Sequence, residues 1–225
     1  MIRALTVWFA FSFSSFGVAQ SPPADMPLLP RELEIELALN AAPPHLREGA
    51  AVLVFEPRGY VLAREGRNGF TCVVSRRGGD LFPACWDREG LETLVRVEQE
   101  AATMRLSGQT TTDVQRAVDE GFKSGKYKTP SRGGVSFMLS PIRFRIDAAG
   151  RATNANAVPH VMFYAPHVTD ADVGGVRGGP VFVNRVGPDG MIIVPVGATE
   201  RDSIARDSAS LIERVERQLG VRTRQ

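Results

Sequence analysis

Several residue types that carry recognisable chemistry are scarce in this sequence. It has only two cysteines and three histidines, and no HExxH, CxxC or GxSxG motif occurs in it. The absence of these motifs excludes the common zinc-protease, zinc-ribbon and serine-hydrolase patterns that spacing alone can identify. The sequence therefore predicts no cofactor and no metal site that can be assigned with assurance.

Net charge is also small. The chain has 27 basic and 25 acidic residues, which give a formal net charge of +2, and its only lysines are Lys123, Lys126 and Lys128. General nucleic-acid binders carry a clear excess of positive charge. We therefore expect no nucleic-acid partner.

Acidic residues are absent from the first 24 positions, where an apolar run follows a single arginine. Residues 4–16 contain only Thr and Ser as polar members, and Gly17-Val18-Ala19 follows them. This pattern predicts a cleavable signal peptide over residues 1–19. The alternative is an uncleaved anchor, but a spanning helix needs about 20 apolar residues. We expect a periplasmic or secreted protein with no stable membrane span after processing.

Cys72 and Cys85 are the two cysteines. In an exported protein such a pair favours a disulfide, which would contribute about 3 kcal/mol for a loop of this size. Two buried free thiols are the alternative. A metal pair is less favoured, because no CxxC spacing or nearby histidine accompanies the cysteines.

A single α+β domain is predicted over residues 31–197, after a Pro-rich, mobile leader at 20–30. A short helix over 31–41 precedes an antiparallel meander. Its strands are predicted over 50–55, 60–64 and 70–75, joined by a Pro-Gly turn at 57–59 and an Asn-Gly hairpin at 68–69.

A helical hairpin is predicted between this meander and a second group of strands. Asp87 is expected to cap a helix that ends near Leu106, and Thr112 or Asp113 to cap a second helix that ends near Phe122. A disulfide would then tie the first of these helices to the sheet. The later strands are predicted over 135–139, 142–146, 158–165, 180–184 and 191–196.

Residues 198–225 are predicted to form a terminal amphipathic helix and tail. The helix spans 200–219, with a capping box at Thr199 and Asp202 and a stop at Gly220. Its apolar stripe contains Ile204, Ser208, Leu211, Val215 and Leu219. The stripe could dock on the domain, pair with a second copy, or leave the helix to fray.

Residues 160–172 hold two of the three histidines and two aspartates. Because loops that follow strands often carry sites, this segment is the first candidate for chemistry. Its side chains could form an acid–base pair or supply metal ligands. The structural alternative makes His160 a strand cap and the aspartates turn formers. The weak catalytic candidates are His160, Tyr164, His167, Asp170 and Asp172.

A basic stretch, defined here as residues 121–146, contains six positive charges and no acid. Such a local field could hold an anionic glycan, a lipid headgroup or an acidic protein. The alternative is a solvated surface. The residues predicted to bind an anion are Lys123, Lys126, Lys128 and Arg132, and the stretch also contains Arg143 and Arg145.

A glycine-rich segment spans residues 174–179. Such a loop could cradle an anion through its backbone N–H groups. It lacks the Lys-Ser/Thr of a P-loop and precedes a predicted strand instead of a helix, which disfavours nucleotide binding. A mobile connector is the preferred interpretation.

Five short motifs are spread over the central part of the chain. They are NGFTC at 68–72, PACWD at 83–87, MLSP at 138–141, HVMFYAP at 160–166 and MIIVPVG at 191–197. Their combination resembles a family of secreted bacterial proteins of unknown function, over about residues 31–197. The resemblance implies a bacterial envelope setting and transfers no catalytic role.

These patterns together favour an exported bacterial envelope protein that acts as a ligand-binding or structural module, and they disfavour enzymatic activity without excluding it. One alternative is a metal-assisted hydrolase with a His/Asp site around residues 160–172. The other is an interaction protein that self-associates through its terminal helix.

Overall fold

One mixed β-sheet passes through the centre of the protein. The structure, a computed structural model, describes residues 22–221 and assigns ten strands within them. They are β1 (Ala51–Glu56), β2 (Gly59–Arg64), β3 (Thr71–Arg77), β4 (Asp80–Trp86), β5 (Val135–Met138), β6 (Phe144–Ile146), β7 (Ala152–Asn154), β8 (His160–Tyr164), β9 (Phe182–Val183) and β10 (Met191–Pro195). The predicted α+β class is confirmed. The predicted signal peptide lies outside the described residues.

Helices pack on both faces of this sheet. They are α1 (Arg31–Asn40), α2 (Pro44–Arg47), α3 (Arg88–Gly90), α4 (Arg96–Leu106), α5 (Thr111–Lys123) and α6 (Ala198–Leu219), with a π-helical turn (Leu91–Val95) that joins α3 to α4. A 3-10 turn covers Ala171–Val173. Within the described residues, no helix has the length and apolar character that a membrane crossing requires.

The strand order is β2-β1-β3-β4-β5-β8-β10-β9, with β6 paired to β4 and β7 paired to β6. Among these pairs, β1 with β3 is parallel and the others are antiparallel. The predicted hairpin at Asn68-Gly69 is therefore wrong, because the chain crosses from β2 to the far side of β1. The Asn68 side chain accepts from Phe70 N and donates to Leu46 O, which holds the crossing segment against the residues before β1.

A tight hairpin joins β3 to β4 and brings the two cysteines together. Gly78 and Gly79 both have positive φ (61° and 82°), as a two-residue type I′ turn requires. The turn places Cys72 directly opposite Cys85, and the predicted disulfide is confirmed. It links neighbouring strands, however, so the expected tie between helix and sheet is wrong.

The predicted helical hairpin is confirmed and covers one face of the sheet. Asp87 caps its first helix by accepting from Gly90 N at 2.9 Å. The cap of α5 is Thr110 instead of Thr112 or Asp113, because the Thr110 hydroxyl accepts from Asp113 N at 3.1 Å. Side chains from the π-helical turn pack with the strands in one apolar cluster, which includes Val73, Leu94 and Met162, and Phe122 of α5 packs against it.

The leader was predicted to be mobile, but in the structure residues 22–30 pack against the domain. Met26 and Leu29 are buried. Arg105 Nη2 donates to both carboxylate oxygens of Asp25 at 2.8 Å, and Arg76 Nε donates to Pro27 O at 2.9 Å. The proline-rich composition therefore marks an extended segment that is held by its neighbours.

The terminal helix α6 docks on the domain beside α1, on the face of the sheet opposite the helical hairpin. Ser208, Leu211 and Val215 are buried, and the Asn40 amide donates to the Ser208 hydroxyl at 3.2 Å. The predicted capping box is wrong, because α6 begins after Gly197 with no side-chain cap. Docking covers most of the apolar stripe, so this helix is part of the domain's core.

Candidate functional site

The side chains predicted to form a His/Asp site are spread along the segment that begins at β8. His160 opens that strand, whereas His167 lies beyond it in a left-handed conformation (φ 64°). Within residues 22–221, no group of three His, Cys, Asp or Glu side chains is placed to hold a metal ion. The structure thus gives the metal interpretation no support.

The side chains of His160, Asp170 and Asp172 each have a structural partner, and His167 is held through its backbone N–H, which donates to Gly187 O. Asp170 accepts from Val183 N at 2.6 Å, and Asp172 accepts from Thr169 N at 2.8 Å, a bond that lowers the pKa of Asp172. His160 Nδ1 lies 2.6 Å from Val158 O, and burial lowers the pKa of this imidazole. Asp172 thus stabilises a local turn, as the structural alternative predicted, whereas the Asp170 carboxylate joins this segment to β9.

Tyr164 belongs to a filled junction between β8 and the start of the helical hairpin. Its hydroxyl donates to Asp87 Oδ1 at 2.8 Å, and its ring stacks on Trp86 with centroids 6.4 Å apart. Burial and the Asp87 carboxylate raise the pKa of Tyr164. The backbone at Gly90 lies so close to Tyr164 that a Cβ on this glycine would be 2.2 Å from the Tyr164 hydroxyl oxygen. A substrate has no room here.

The basic stretch is largely neutralised by acids from other parts of the chain. Lys126 pairs with Glu100 (2.6 Å) and Arg132 with Glu89 (2.9 Å). Arg143 and Arg145 both pair with Asp80. Among the described residues, Lys123 and Lys128 form no ion pair, so the prediction of an anion-binding patch now depends on these two.

The glycine-rich segment at 174–179 folds onto its own neighbours. Gly175 N donates to Asp170 O and Gly179 N donates to Val176 O, both at 2.7 Å. These two N–H groups are therefore committed within the loop. The connector interpretation fits this geometry better than an anion cradle does.

A cavity of about 140 Å³ lies between the helical hairpin and the sheet, and it is called the hairpin cavity below. Its apolar lining combines two strand residues with side chains from both helices and from the π-helical turn. Those residues are Trp86, Met191, Leu94, Val97, Ala101, Val114, Val118 and Phe122. Trp86 is the only tryptophan of the described residues, since the other is Trp8.

The π-helical turn shapes the roof of this cavity. Thr93 donates its hydroxyl to Glu89 O at 2.6 Å, a bond to the preceding turn of the kind that bends helices. The extra residue in such a turn shifts the side chains that follow it, and π-helical turns occur frequently at functional sites. Leu94, from the turn itself, and Val97, just after it, both line the hairpin cavity.

Charged side chains also line the hairpin cavity. They are Arg76, Arg77, Glu98, Arg105, Arg185 and Asp189. Arg76 is buried in an ion pair with Glu34, to which its Nη1 and Nη2 atoms donate at 2.9 and 2.8 Å. Glu98 is buried as well and accepts from the Tyr60 hydroxyl and from Arg77, both at 3.3 Å. The lining of the cavity is thus partly apolar and partly ionic, and its charged residues are called the ionic wall below.

Sequence reasoning predicted the two helices that cover this cavity but not the cavity itself. Val114 and Val118 are four positions apart, on one face of the second helix, and both line the space beneath the helices. Their pattern could not show that the helices leave a gap above the sheet. No protein-family model, no curated protein and no solved structure matches this chain.

Proposed function

We propose that this protein is an exported module of the bacterial envelope that binds a small molecule in the hairpin cavity. The observation that carries the proposal is a partly open space of about 140 Å³, lined by aromatic and aliphatic side chains together with charged ones. Small-molecule sites typically combine an apolar surface with a few placed polar groups.

The size of the cavity limits its ligand. An apolar protein cavity of about 150 Å³ accommodates benzene, and sites for drug-sized molecules measure roughly 300–1,000 Å³. The hairpin cavity therefore fits one benzene-sized group, aromatic or branched aliphatic. Any larger ligand would extend out through the mouth of the cavity into solvent.

The envelope part of the proposal is supported by three features. The disulfide between Cys72 and Cys85 suits an oxidising compartment. The N-terminal pattern is that of a signal peptide, and the five motifs resemble a family of secreted bacterial proteins. Together these features support a periplasmic or secreted location.

The two alternative functions have less support. A metal-assisted hydrolase would need His160, His167, Asp170 and Asp172 near one another, and they instead have separate local partners. Self-association through α6 would need its apolar stripe, which is largely covered by the domain.

Tryptophan fluorescence tests the ligand-binding proposal. Replacing Trp8 by Phe in the full chain leaves Trp86, on the cavity wall, as the only tryptophan. Titration with benzyl alcohol should then change the Trp86 emission to saturation. Ala101→Leu, which fills space in the cavity, should abolish that change.

The matched control is Ala209→Leu, the same enlargement at an exposed position of α6. It should leave the titration unchanged, and circular dichroism should show that both variants fold. A change in Trp86 emission that does not saturate with benzyl alcohol would overturn the proposal. A saturating change that Ala101→Leu leaves intact would also overturn it.

A further inference from the structure

The ionic wall of the hairpin cavity contains more positive than negative groups. Four arginines line it, against the two carboxylates of Glu98 and Asp189. Two of the arginines are fully engaged elsewhere: Arg76 holds Glu34 in the core, and Arg105 holds Asp25 through two 2.8 Å bonds. Arg77 and Arg185 are the remaining two.

Arg185 has no committed hydrogen bond. Its nearest carboxylate contacts are to Asp189, at 3.1 Å, and to Asp119, at 3.9 Å. The first lacks hydrogen-bond geometry, since Asp189 Oδ1 has no hydrogen-bond partner, and the second is too long. Within the described residues, the Arg185 guanidinium is therefore ion-paired with Asp189 but makes no hydrogen bond, so its N–H donors can still bind the oxygens of a second anion.

Arg77 is only weakly engaged. It makes one side-chain hydrogen bond, from Nη2 to Glu98 Oε2 at 3.3 Å. A guanidinium has five N–H donors in a planar fork that matches two oxygens of an anion. Most of the Arg77 donors thus remain for another partner.

The side chains of these two arginines are more exposed than those of the acids that they contact. The side chains of Arg77 and Arg185 are 54 % and 44 % exposed, whereas those of Glu98 and Asp189 are 5 % and 16 % exposed. The guanidinium groups of Arg77 and Arg185 are therefore more accessible to a molecule from solvent than the two carboxylates that line the cavity with them.

We infer that the ligand of the hairpin cavity is a small amphiphilic anion, with a benzene-sized apolar group inside and a carboxylate or similar anionic group at Arg185 and Arg77. This inference rests on the proposed function and specifies its ligand class. Hydrogen bonds between guanidinium and carboxylate are short and charge-assisted, and their paired geometry adds specificity.

Three probes that share one ring test the ligand class in the Trp8→Phe background. They are benzoate, benzyl alcohol and benzylammonium, which differ chiefly in the charge of the group outside the ring. From the usual strength of hydrogen bonds to charged groups, benzoate should bind about tenfold more tightly than benzyl alcohol. Benzylammonium should bind most weakly.

Arginine variants locate the anion. Arg185→Gln should reduce the preference for benzoate over benzyl alcohol to about twofold or less, because it removes an ionic partner. Arg77→Gln should reduce it partially. Arg201→Gln removes an exposed charge of the same sign outside the cavity lining and should leave the preference intact.

The outcomes distinguish the two proposals. Equal binding of benzoate and benzyl alcohol, both blocked by Ala101→Leu, would overturn the anionic ligand and keep the cavity as a binding site. Tightest binding of benzylammonium, or a benzoate preference that survives both arginine variants, would also overturn the anionic ligand. If no probe gave a response that Ala101→Leu removes, the proposed function itself would fail.

Discussion

Tyr164 donates its hydroxyl hydrogen to Asp87, a residue 77 positions earlier in the chain, over 2.8 Å. The same carboxylate accepts from Gly90 N and from Val135 N, each at 2.9 Å. One side chain therefore joins β8, β5 and the start of the helical hairpin. The hairpin cavity lies beside this junction, because Trp86 stacks on Tyr164 and also lines the cavity.

Removing the Tyr164 hydroxyl should lower stability. Tyr164→Phe deletes a buried hydrogen bond to a carboxylate, and we expect a loss of about 1.5 kcal/mol in the free energy of unfolding. Urea unfolding followed by circular dichroism measures it. Tyr127→Phe is the matched control, because its hydroxyl bonds to the more exposed Glu100, and it should cost clearly less. Equal losses would contradict the junction's role.

The buried Arg76–Glu34 pair predicts a larger effect. Glu34 accepts from Phe55 N and from two nitrogens of Arg76, and both charged side chains are buried. Glu34→Gln leaves the Arg76 charge without a partner, which typically costs about 3–5 kcal/mol. Urea unfolding should show a loss of this size.

A neighbour on the same helix supplies the control for Glu34. Glu36→Gln makes the same chemical change in an ion pair with Arg214 that is half exposed. Surface pairs contribute little because water screens them. The free energy of unfolding of the Glu36 variant should therefore stay close to that of the unchanged protein. If Glu34→Gln and Glu36→Gln lost similar amounts of it, burial would not be the reason for the effect.

The disulfide should contribute measurably to stability. Replacing both Cys72 and Cys85 by Ala removes a cross-link between positions 13 apart. For a loop of this length, the chain-entropy relation gives a loss of about 3 kcal/mol. Unfolding of the double variant in urea measures the loss. The unchanged protein should lose a similar free energy of unfolding when it is unfolded under reducing conditions. If the reduced protein were as stable as the oxidised protein, the prediction would be contradicted.

Local patterns predicted the helices well because their determinants lie within a few residues. Asp87 caps its helix through Gly90, three positions away, and the stripe of α6 contains the residues that become buried. The disulfide was predicted from the expected compartment alone. Its place between two paired strands required the turn at Gly78 and Gly79, whose glycine content fits the type I′ geometry.

Features that depend on distant partners were not predictable in this way. Asn68-Gly69 has the composition of a hairpin, but contacts with residues before β1 direct it into a crossing instead. The basic stretch contains no acid, yet Asp80, Glu89 and Glu100 reach it from elsewhere. The hairpin cavity is harder still, because it depends on how closely separate segments fit, and residue type gives only part of that.

Stability should also depend on pH through His160. Burial lowers the pKa of His160 below its ordinary value of 6.5, so the unfolded chain binds this proton more readily than the folded one. The contribution of His160 is therefore complete above about pH 6.5 and is lost as pH falls toward the lower folded pKa. His160→Asn, whose amide can still reach Val158 O, should lose less stability than the unchanged protein between pH 7.5 and pH 5 in urea unfolding.

His167→Asn is the control, because this exposed residue has the left-handed conformation that Asn tolerates, and it should keep the original pH dependence. If His160→Asn retained the full pH dependence, protonation of His160 would not be its source.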